Sequence, residues 1–513
     1  MSSLIRVTKN KQVYLYESWS YWDKQKKAPR TKMVYIGKED PATKEIVPVG
    51  NKWTPKSSRD YGNVFLLEKV SSQIGLTEIL KDTFPDEWEK LLSCAFFEVS
   101  EGKPLYLCGT WLENTYTDMI GGLASQRISE LLKSVGENLP ARLEFSCLWT
   151  EKRGEDEFVV FDITSISSYS KLIESVEWGY NRDKEKLPQI NFGMVFGQPS
   201  LLPIFYNLYQ GSIRDVSTLK NILEFLSDFK LKNVTFLLDK GFYSTDNIMV
   251  MRRKGLHFIT PLPFTVKQAQ ELIEKHENEI TDVSNALRVN KQILYCVKDK
   301  ITVESYSLNA YLYFDKRKSL EGEERLIERI IEAEEKVEER HFQDREAVRK
   351  YLSQHAAELE KVFDIRKVKG SFVLRRDKGR IDKVIKQMGY VIILSSRSMN
   401  PRQIILLYRN KDCVEKCFDN MKNELSTNRL RVHSTESMEG RLFITFISLI
   451  LSSWIHKTMR EKALSKKYTL EEIMYELKKL KVVQLQNQRR VMTEITKTQK
   501  ELFKKLVNEI PTL

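Results

Sequence analysis

The sequence predicts an α/β protein: a mixed β-sheet with helices packed against it, interrupted by an inserted segment. Three observations predict it. Hydrophobic runs of strand length recur as strand–strand–strand–helix–strand between Glu157 and Asp239, an order that suits a mixed sheet covered by helices. Two of these runs end on an acid, Asp162 after Phe158–Phe161 and Asp239 after Phe236–Leu238, and the exit of a buried strand is where α/β folds gather their chemistry. Residues 266–385 then change style, alternating charged helical stretches with strands, before a hydrophobic strand returns at Gly389–Ser395.

A chain of 513 residues exceeds what one core supports and divides into several domains. Residues 1–60 read as a basic β-hairpin unit. Gln12–Ser18 and Thr31–Gly37 alternate around the connection Lys24–Arg30, with Trp19 and Trp22 interleaved. This surface suits phosphate contact with aromatic packing; the pattern is equally that of a small β-unit with solvated lysines. Residues 61–150 turn helical, with Leu66, Leu67, Val70 and Ile74 at helical spacing, and are expected to form a DNA-binding region. Within it, Gln126–Lys133 has the length of a helix-turn-helix recognition helix and also that of an ordinary surface helix. Residues 151–265 form the first part of the sheet, with strands at Glu157–Thr164, Ile190–Gln198, Leu201–Tyr209, Asn233–Asp239 and His257–Pro261 and a helix at Thr218–Phe229.

Residues 266–385 are an inserted domain with strands at Gln292–Val297 and Ser307–Phe314. Its stretch Glu321–Arg340 reads as a solvated amphipathic helix with Leu326, Ile330 and Val337 on one face. Residues 386–460 complete the core, and residues 461–513 are a helical C-terminal region, suited either to subunit or DNA-end contact or to plain packing.

The formal net charge is +13 and favours a polyanionic partner, most simply nucleic acid. Residues 1–60 hold 13 Lys/Arg against 6 Asp/Glu, a net of +7 and about half the total. Six scattered cysteines form no disulfide framework. Cys413 and Cys417, the close pair, have no His nearby and read as core residues, not zinc ligands. No signal peptide is expected, and the longest apolar run, Leu442–Ile455, reads as a buried helix and not a bilayer span. A cytoplasmic, nucleoid-associated protein without membrane contact is expected.

Tyr408, Lys411, Glu415 and Lys422 stand at offsets 0, 3, 7 and 14. On one helix these fall within about 60° of each other. Val414, Phe418, Met421 and Leu425 form the adjacent apolar stripe. Such a helix buries one flank and aims a phenol, a carboxylate and two cations along its edge. Asp162, Asp239 and Glu415 come from separated segments, and three such carboxylates can hold two divalent metals. Hard oxygen ligands favour magnesium or manganese. Taken one at a time, acids at strand ends are also ordinary caps and surface residues.

These residues resemble a known family: prokaryotic insertion-sequence transposases of the DDE type, in the subgroup with the Tyr-x2-Arg-x3-Glu-x6-Lys signature. Tyr408-x2-Lys411-x3-Glu415-x6-Lys422 matches it with Lys411 at the Arg position. Phe161–Ser165 resembles the first-Asp strand, Leu238–Tyr243 the second-Asp motif, and Tyr209–Ser212 with Asp215 the tract between them. Tyr35–Lys38 and the helix from Arg441 also look familial. The resemblance implies a ribonuclease-H-like catalytic core interrupted by a β-rich insertion, which accounts for spacings of 77 residues from Asp162 to Asp239 and 176 from Asp239 to Glu415.

It further implies that Asp162, Asp239 and Glu415 ligate two divalent ions, Mg2+ or Mn2+, and that Tyr408, Lys411 and Lys422 hold the terminal phosphate and transferred strand. Lys411 keeps the charge of the family's Arg but loses its bidentate fork; Arg409 is the neighbouring guanidinium, about 100° away from Tyr408 around a helix. The implied protein binds terminal inverted repeats as double-stranded DNA, cleaves the ends and joins the 3′-hydroxyls to target DNA, acting as a homodimer on paired ends. Some relatives stack a flipped base on a Trp of the insertion, whereas residues 266–385 hold no Trp; Tyr306, Tyr311, Tyr313 and Phe314 are the alternatives there. Two rival readings are a non-catalytic DNA-binding protein derived from a transposase and a metal-dependent nuclease of the same fold.

Overall fold

The computed structural model describes residues 2–512 except 11, 24–27, 42–43, 45, 49–54, 120–122, 154–157, 214, 229–233, 341, 369 and 487–488. The basic connection at Lys24–Lys27 therefore lies outside the described residues, as do Glu157 and Asn233 and the side chain of Asp215. The chain forms two compact units, one of Met1–Leu131 with Trp454–Leu513 and one of Leu132–Ser453.

In the first unit, strands Ser2–Lys9, Gln12–Asp23, Ala28–Glu39 and Ile46–Pro48 make an antiparallel sheet in sequence order. Its surface is aromatic and basic: Trp22 is exposed, and Lys32 Nζ lies 5.8 Å from the Trp19 ring centroid. Helices Gly62–Gln73, Leu76–Thr83 and Trp88–Glu101 bury Leu66, Leu67, Val70, Leu80 and Phe96. Gln126–Lys133 lies in a helix, Ser125–Glu137, whose Arg127 and Glu130 pair on the surface.

The C-terminal region is not wholly helical. Between helices Leu470–Lys478 and Lys497–Leu506, the strand Lys481–Leu485 pairs antiparallel with Pro55–Asp60 and with Arg490–Met492. Val482 and Val483 favour the extended backbone, and Lys481 Nζ lies 3.1 Å from Asp60 Oδ1 across the pair.

The second unit is built on a ten-stranded mixed sheet. From one edge nine of its strands run in the order Pro203–Gln210, Gln189–Gly197, Phe158–Ser168, Thr235–Leu238, His257–Pro261, Tyr390–Ser395, Tyr306–Phe314, Gln292–Val303 and Ala286–Val289, and the tenth, the short Arg429–Leu430, pairs parallel with the end of Phe158–Ser168 off this path. The first three are antiparallel neighbours, while Phe158–Ser168, Thr235–Leu238 and His257–Pro261 run parallel. Gln189–Gly197 is buried along its whole length, as a central strand covered on both faces must be. Alternation along the strands separates two faces. Val159, Phe161, Phe236 and Leu238 pack with Leu219, Ile248, Leu272 and their neighbours on helices Asp215–Asp228, Thr245–Arg253 and Lys267–His276. On the opposite face Phe192 meets Phe418 and Tyr206 meets Phe446.

The segment 266–385 divides in two. Its strands Ala286–Val289, Gln292–Val303 and Tyr306–Phe314 continue the main sheet, and Ile301, Leu308 and Leu312 share its core. Its later part has a core of its own: Leu326, Ile330 and Val337 of helix Lys316–Glu338 pack on Leu352, Phe363 and Leu374, beside the hairpin Phe363–Val368/Ser371–Arg376. Helix Thr435–Glu461, which contains Leu442–Ile455, is long and apolar enough to cross a membrane, yet 83% of its apolar window is buried in the protein.

Candidate active site

The register Phe161↔Leu238 between parallel strands sets Asp162 and Asp239 side by side just where the shorter strand ends. Strands in a ladder are about 4.8 Å apart. Both acids project on the face opposite Phe161 and Leu238, the face covered by helix Asp412–Asn423. That helix carries Glu415 in its first turn and docks through Val414, Cys417, Phe418 and Met421, all buried; Cys417 lies 3.6 Å from Ser453 Oγ.

The expectation of one continuous helix through Tyr408 and Lys422 is corrected. Helix Pro401–Arg409 ends, and a second begins at Asp412. At the junction the amides of Lys411 and Val414 bond three residues back, to Tyr408 and Lys411, not four. Asn410 and Asp412 favour such a break, because their short polar side chains compete with the helix backbone, and Asp412 sits well at the new N-terminus.

At the break Tyr408, Lys411 and Glu415 meet beside Asp239. Lys411 Nζ lies 3.0 Å from Asp239 Oδ1, 3.5 Å from Glu415 Oε1 and 5.4 Å from the Tyr408 ring centroid. The Tyr408 hydroxyl also bonds the Asp239 carboxylate. Burial lifts the Tyr408 phenol to about 12, with Asp239 and Glu415 adding to the shift against Lys411. Burial pulls the Asp239 carboxyl upward, but the Lys411 ammonium and the amide and charge of Lys240 outweigh it and hold the group below the usual carboxylate range. Lys411 responds in kind: burial depresses its ammonium, and the Tyr408, Asp239 and Glu415 oxygens more than restore it.

Asp162 differs. Its Oδ1 accepts from the Ile163 amide at 2.8 Å, yet burial pushes its carboxyl up to about 6, opposed by the Arg182 charge and reinforced by Asp239. Two carboxylates on adjacent strands thus have separated affinities for protons, because Lys411 serves one far more than the other.

Two of the expected residues face elsewhere. Arg409 Nη1 donates to Gln292 Oε1 at 3.2 Å, at the start of a sheet-extending strand. Lys422 Nζ donates to both Asp183 oxygens, at 2.8 and 2.7 Å. Asp183 belongs to a loop, residues 169–188, whose residues the sequence reading did not single out. In it Arg182 acts on Asp162, and Glu185 accepts from Arg429 Nη2 at 2.9 Å while Arg429 Nη1 donates to the Tyr169 hydroxyl at 2.9 Å. A 20-residue connection between antiparallel strands is long for a hairpin, and that length was the available signal.

Residues 153–451 match the family described as "Transposase DDE domain". The chain belongs to this family. The matched span holds the large mixed sheet together with Asp162, Asp239, Tyr408, Lys411, Glu415 and Lys422. No curated protein matches the chain. Seven chains of solved structures do; one is a piggyBac transposase synaptic complex with hairpin DNA, at 12% identity over 81% of this chain and 69% of that chain, with a TM-score of 0.35. That likeness is too loose to carry residue roles from one protein to the other.

DDE transposases generally use divalent metals, and the donor chemistry here suits them. Asp162, Asp239 and Glu415 offer hard oxygens, and Asp162 is an enclosed carboxylate whose charge its neighbours leave under-compensated. Among the described residues, no three His, Cys, Asp or Glu side chains converge tightly enough to hold an ion. Lys411 stands between Asp239 and Glu415.

Proposed function

We propose that the chain is a DNA transposase of the Tyr-Arg-Glu-Lys subgroup with a ribonuclease-H-like core, in which Asp162, Asp239 and Glu415 form the catalytic carboxylate set. The observation that carries this reading is the meeting of Lys411 with Asp239, Glu415 and Tyr408 beside Asp162: residues from two strand ends and from two successive helices and their junction, far apart in sequence, gather at one point. The strand order 3-2-1-4-5, with the last two parallel to the first, supports the ribonuclease-H-like assignment.

The chain's residues divide the work. Asp162, Asp239 and Glu415 would hold the ions beside the scissile phosphate. When bound, magnesium or manganese supplies activation of water or a 3′-hydroxyl and neutralises charge on the leaving oxygen. Lys411 holds the carboxylates together before DNA arrives and offers its ammonium to the phosphate afterwards. Tyr408, kept neutral by burial, donates a hydrogen bond. The basic first unit meets the terminal inverted repeats, and hydrolysis and strand joining are two displacements at one site. A dimer holding paired ends completes the reading.

The test is incubation of the full chain with the DNA ends that flank its gene and Mg2+ or Mn2+, scoring nicked, double-cut and joined products. Glu415→Gln is expected to abolish cleavage, by at least about a thousandfold, while end binding persists. Cleavage by that variant at the wild-type rate would remove Glu415 from the site. Cutting without any joined product would instead favour the nuclease reading.

A further inference from the structure

Lys411 stands among the oxygens that the proposed chemistry assigns to the metal ions. Its Nζ lies 3.0 Å from Asp239 Oδ1 and 3.5 Å from Glu415 Oε1, and its charge also acts on the Asp162 carboxyl. One ammonium therefore serves all three carboxylates of the set.

The place of Lys411 in the chain holds it there. It lies at the junction between helices Pro401–Arg409 and Asp412–Asn423. Its amide donates to the Tyr408 carbonyl at 3.2 Å, and its own carbonyl accepts from the Val414 amide at 3.0 Å. Val414, Phe418 and Met421 anchor the second helix in the core. Nζ lies 5.4 Å from the Tyr408 ring centroid, and the side chain is half-enclosed by these neighbours. A charge pair shielded in this way is screened less than one in open water.

An ammonium and a divalent ion compete for such oxygens. A divalent ion binds through hard oxygen ligands, so Lys411 opposes it twice, by engaging Asp239 and Glu415 and by adding positive charge beside them. The contact is also one that lets go. A lysine ammonium is a point charge on a flexible stem, and Glu415 is 56% exposed, so the pair opens to solvent on that side. A DNA phosphate offers the ammonium another anionic acceptor of the same strength.

We propose that Lys411 gates metal loading: it occupies the carboxylates in the DNA-free protein, and a DNA phosphate draws it away, so that the divalent ions enter with the DNA or after it. The proposal rests on the carboxylate-set reading above and adds an order of binding to it. Phosphate and ion each favour the state in which Lys411 has left the acids. Each therefore raises the affinity for the other by the same factor. The device keeps the hydrolytic site unloaded until a strand is present to be cut.

The test reads Mn2+ uptake by the full-length chain without DNA, from the electron paramagnetic resonance signal of free Mn2+. Lys411→Met and Lys411→Gln remove the charge and are each expected to bind Mn2+ about tenfold more tightly than the wild type. Lys411→Arg keeps the charge and should keep the wild-type affinity. A merely structural lysine would weaken the site when replaced, not tighten it. Asp239→Asn in the Lys411→Met background is expected to abolish the uptake. With the DNA ends bound, the gap between wild type and Lys411→Met should close; both carry the same duplex, so its own uptake of Mn2+ cancels. Thermal melting in EDTA establishes that each variant is folded. Neutral variants that bind Mn2+ no more tightly than the wild type, with uptake still lost in Asp239→Asn, overturn the gate and leave the carboxylate set standing. A gap that persists with DNA bound overturns the gate in the same way. Uptake that survives Asp239→Asn, or none in any variant, overturns the gate together with the metal reading beneath it.

Discussion

Lys411 holds two carboxylates with one ammonium, and that arrangement has measurable consequences. Its side chain is 16% exposed, against 38% for Asp239 and 56% for Glu415, so solvent screening limits what the pair contributes. Lys411→Met is expected to cost about 1 kcal/mol in metal-free urea denaturation, and a smaller cost once Mg2+ is added would tie the site to divalent ions. Asp162 gives a pH signature. Its folded carboxyl titrates at about 6, above its ordinary 3.8, so the folded protein keeps the proton longer than the unfolded chain. In metal-free buffer its contribution to stability therefore falls as pH rises from about 4 to about 6 and is level beyond. Asp162→Asn should melt like the wild type near pH 4 and higher than it at pH 7.5, by about 1–2 kcal/mol. A variant less stable at both pH values would contradict the burial account. At this scale Asp162, Asp239 and Glu415 were legible as candidates from strand ends and motif spacing. The partners of Lys422 and Arg409 were not, because Asp183 and Gln292 lie 239 and 117 residues away in sequence.

Among elements, the junction at Asn410–Lys411 shows how a local break serves a distant contact. Periodicity alone runs Tyr408 to Lys422 along one helix, and the apolar stripe Val414, Phe418, Met421 and Leu425 is indeed buried. That helix is interrupted at Asn410–Lys411, where Asn410 and Asp412 are poor helix formers, and at the interruption Lys411 meets Asp239. A second clamp joins helix Lys267–His276 to strand Gln292–Val303. Asp299 meets Lys275 Nζ at 2.7 Å and His276 Nε2 at 2.8 Å. Burial raises the Asp299 carboxyl, but the bonds from Lys275, His276 and the Lys300 amide overcome it and bring the group down to about 2. A depressed carboxylate stabilises above its unfolded value and loses that contribution as pH falls through the folded one. Asp299→Asn should therefore be destabilising at pH 6, with the difference from wild type closing between about pH 4 and pH 2 in chemical denaturation. The strands Gln292–Val303 and Tyr306–Phe314 were legible as strands. Their membership of the main sheet was not, since pairing partners such as Tyr390–Ser395 are set by register and not by composition.

For the whole molecule, the division into two compact units predicts unfolding that departs from a single two-state transition. Leu66→Ala, in the first unit, should lower one calorimetric component by the few kcal/mol of a buried leucine truncation and leave the other in place. One component shifting as a whole would show the units to be thermodynamically coupled. The net charge of +13 bears on the DNA reading: if six to ten phosphates are contacted, affinity should fall about 10³- to 10⁵-fold between 50 and 200 mM salt. A flat salt dependence in a filter-binding or anisotropy titration would exclude phosphate contact as the main source of affinity.

What the sequence determined by itself was local and compositional. Strand-length apolar runs, acids at their ends and a basic start were enough to predict an α/β chain with a polyanionic partner, and the resemblance of its motifs to a known family implied the DDE kind, because period, charge and motif order survive in one dimension. Tertiary structure decided what depends on where distant segments meet. It joined Lys481–Leu485 to Pro55–Asp60, carried the first strands of 266–385 into the main sheet, and paired Lys422 with Asp183. It also set Asp162 beside Asp239 under different charges. Those outcomes are fixed by register, burial and the distance between charges, and all three come into being only when the chain has folded.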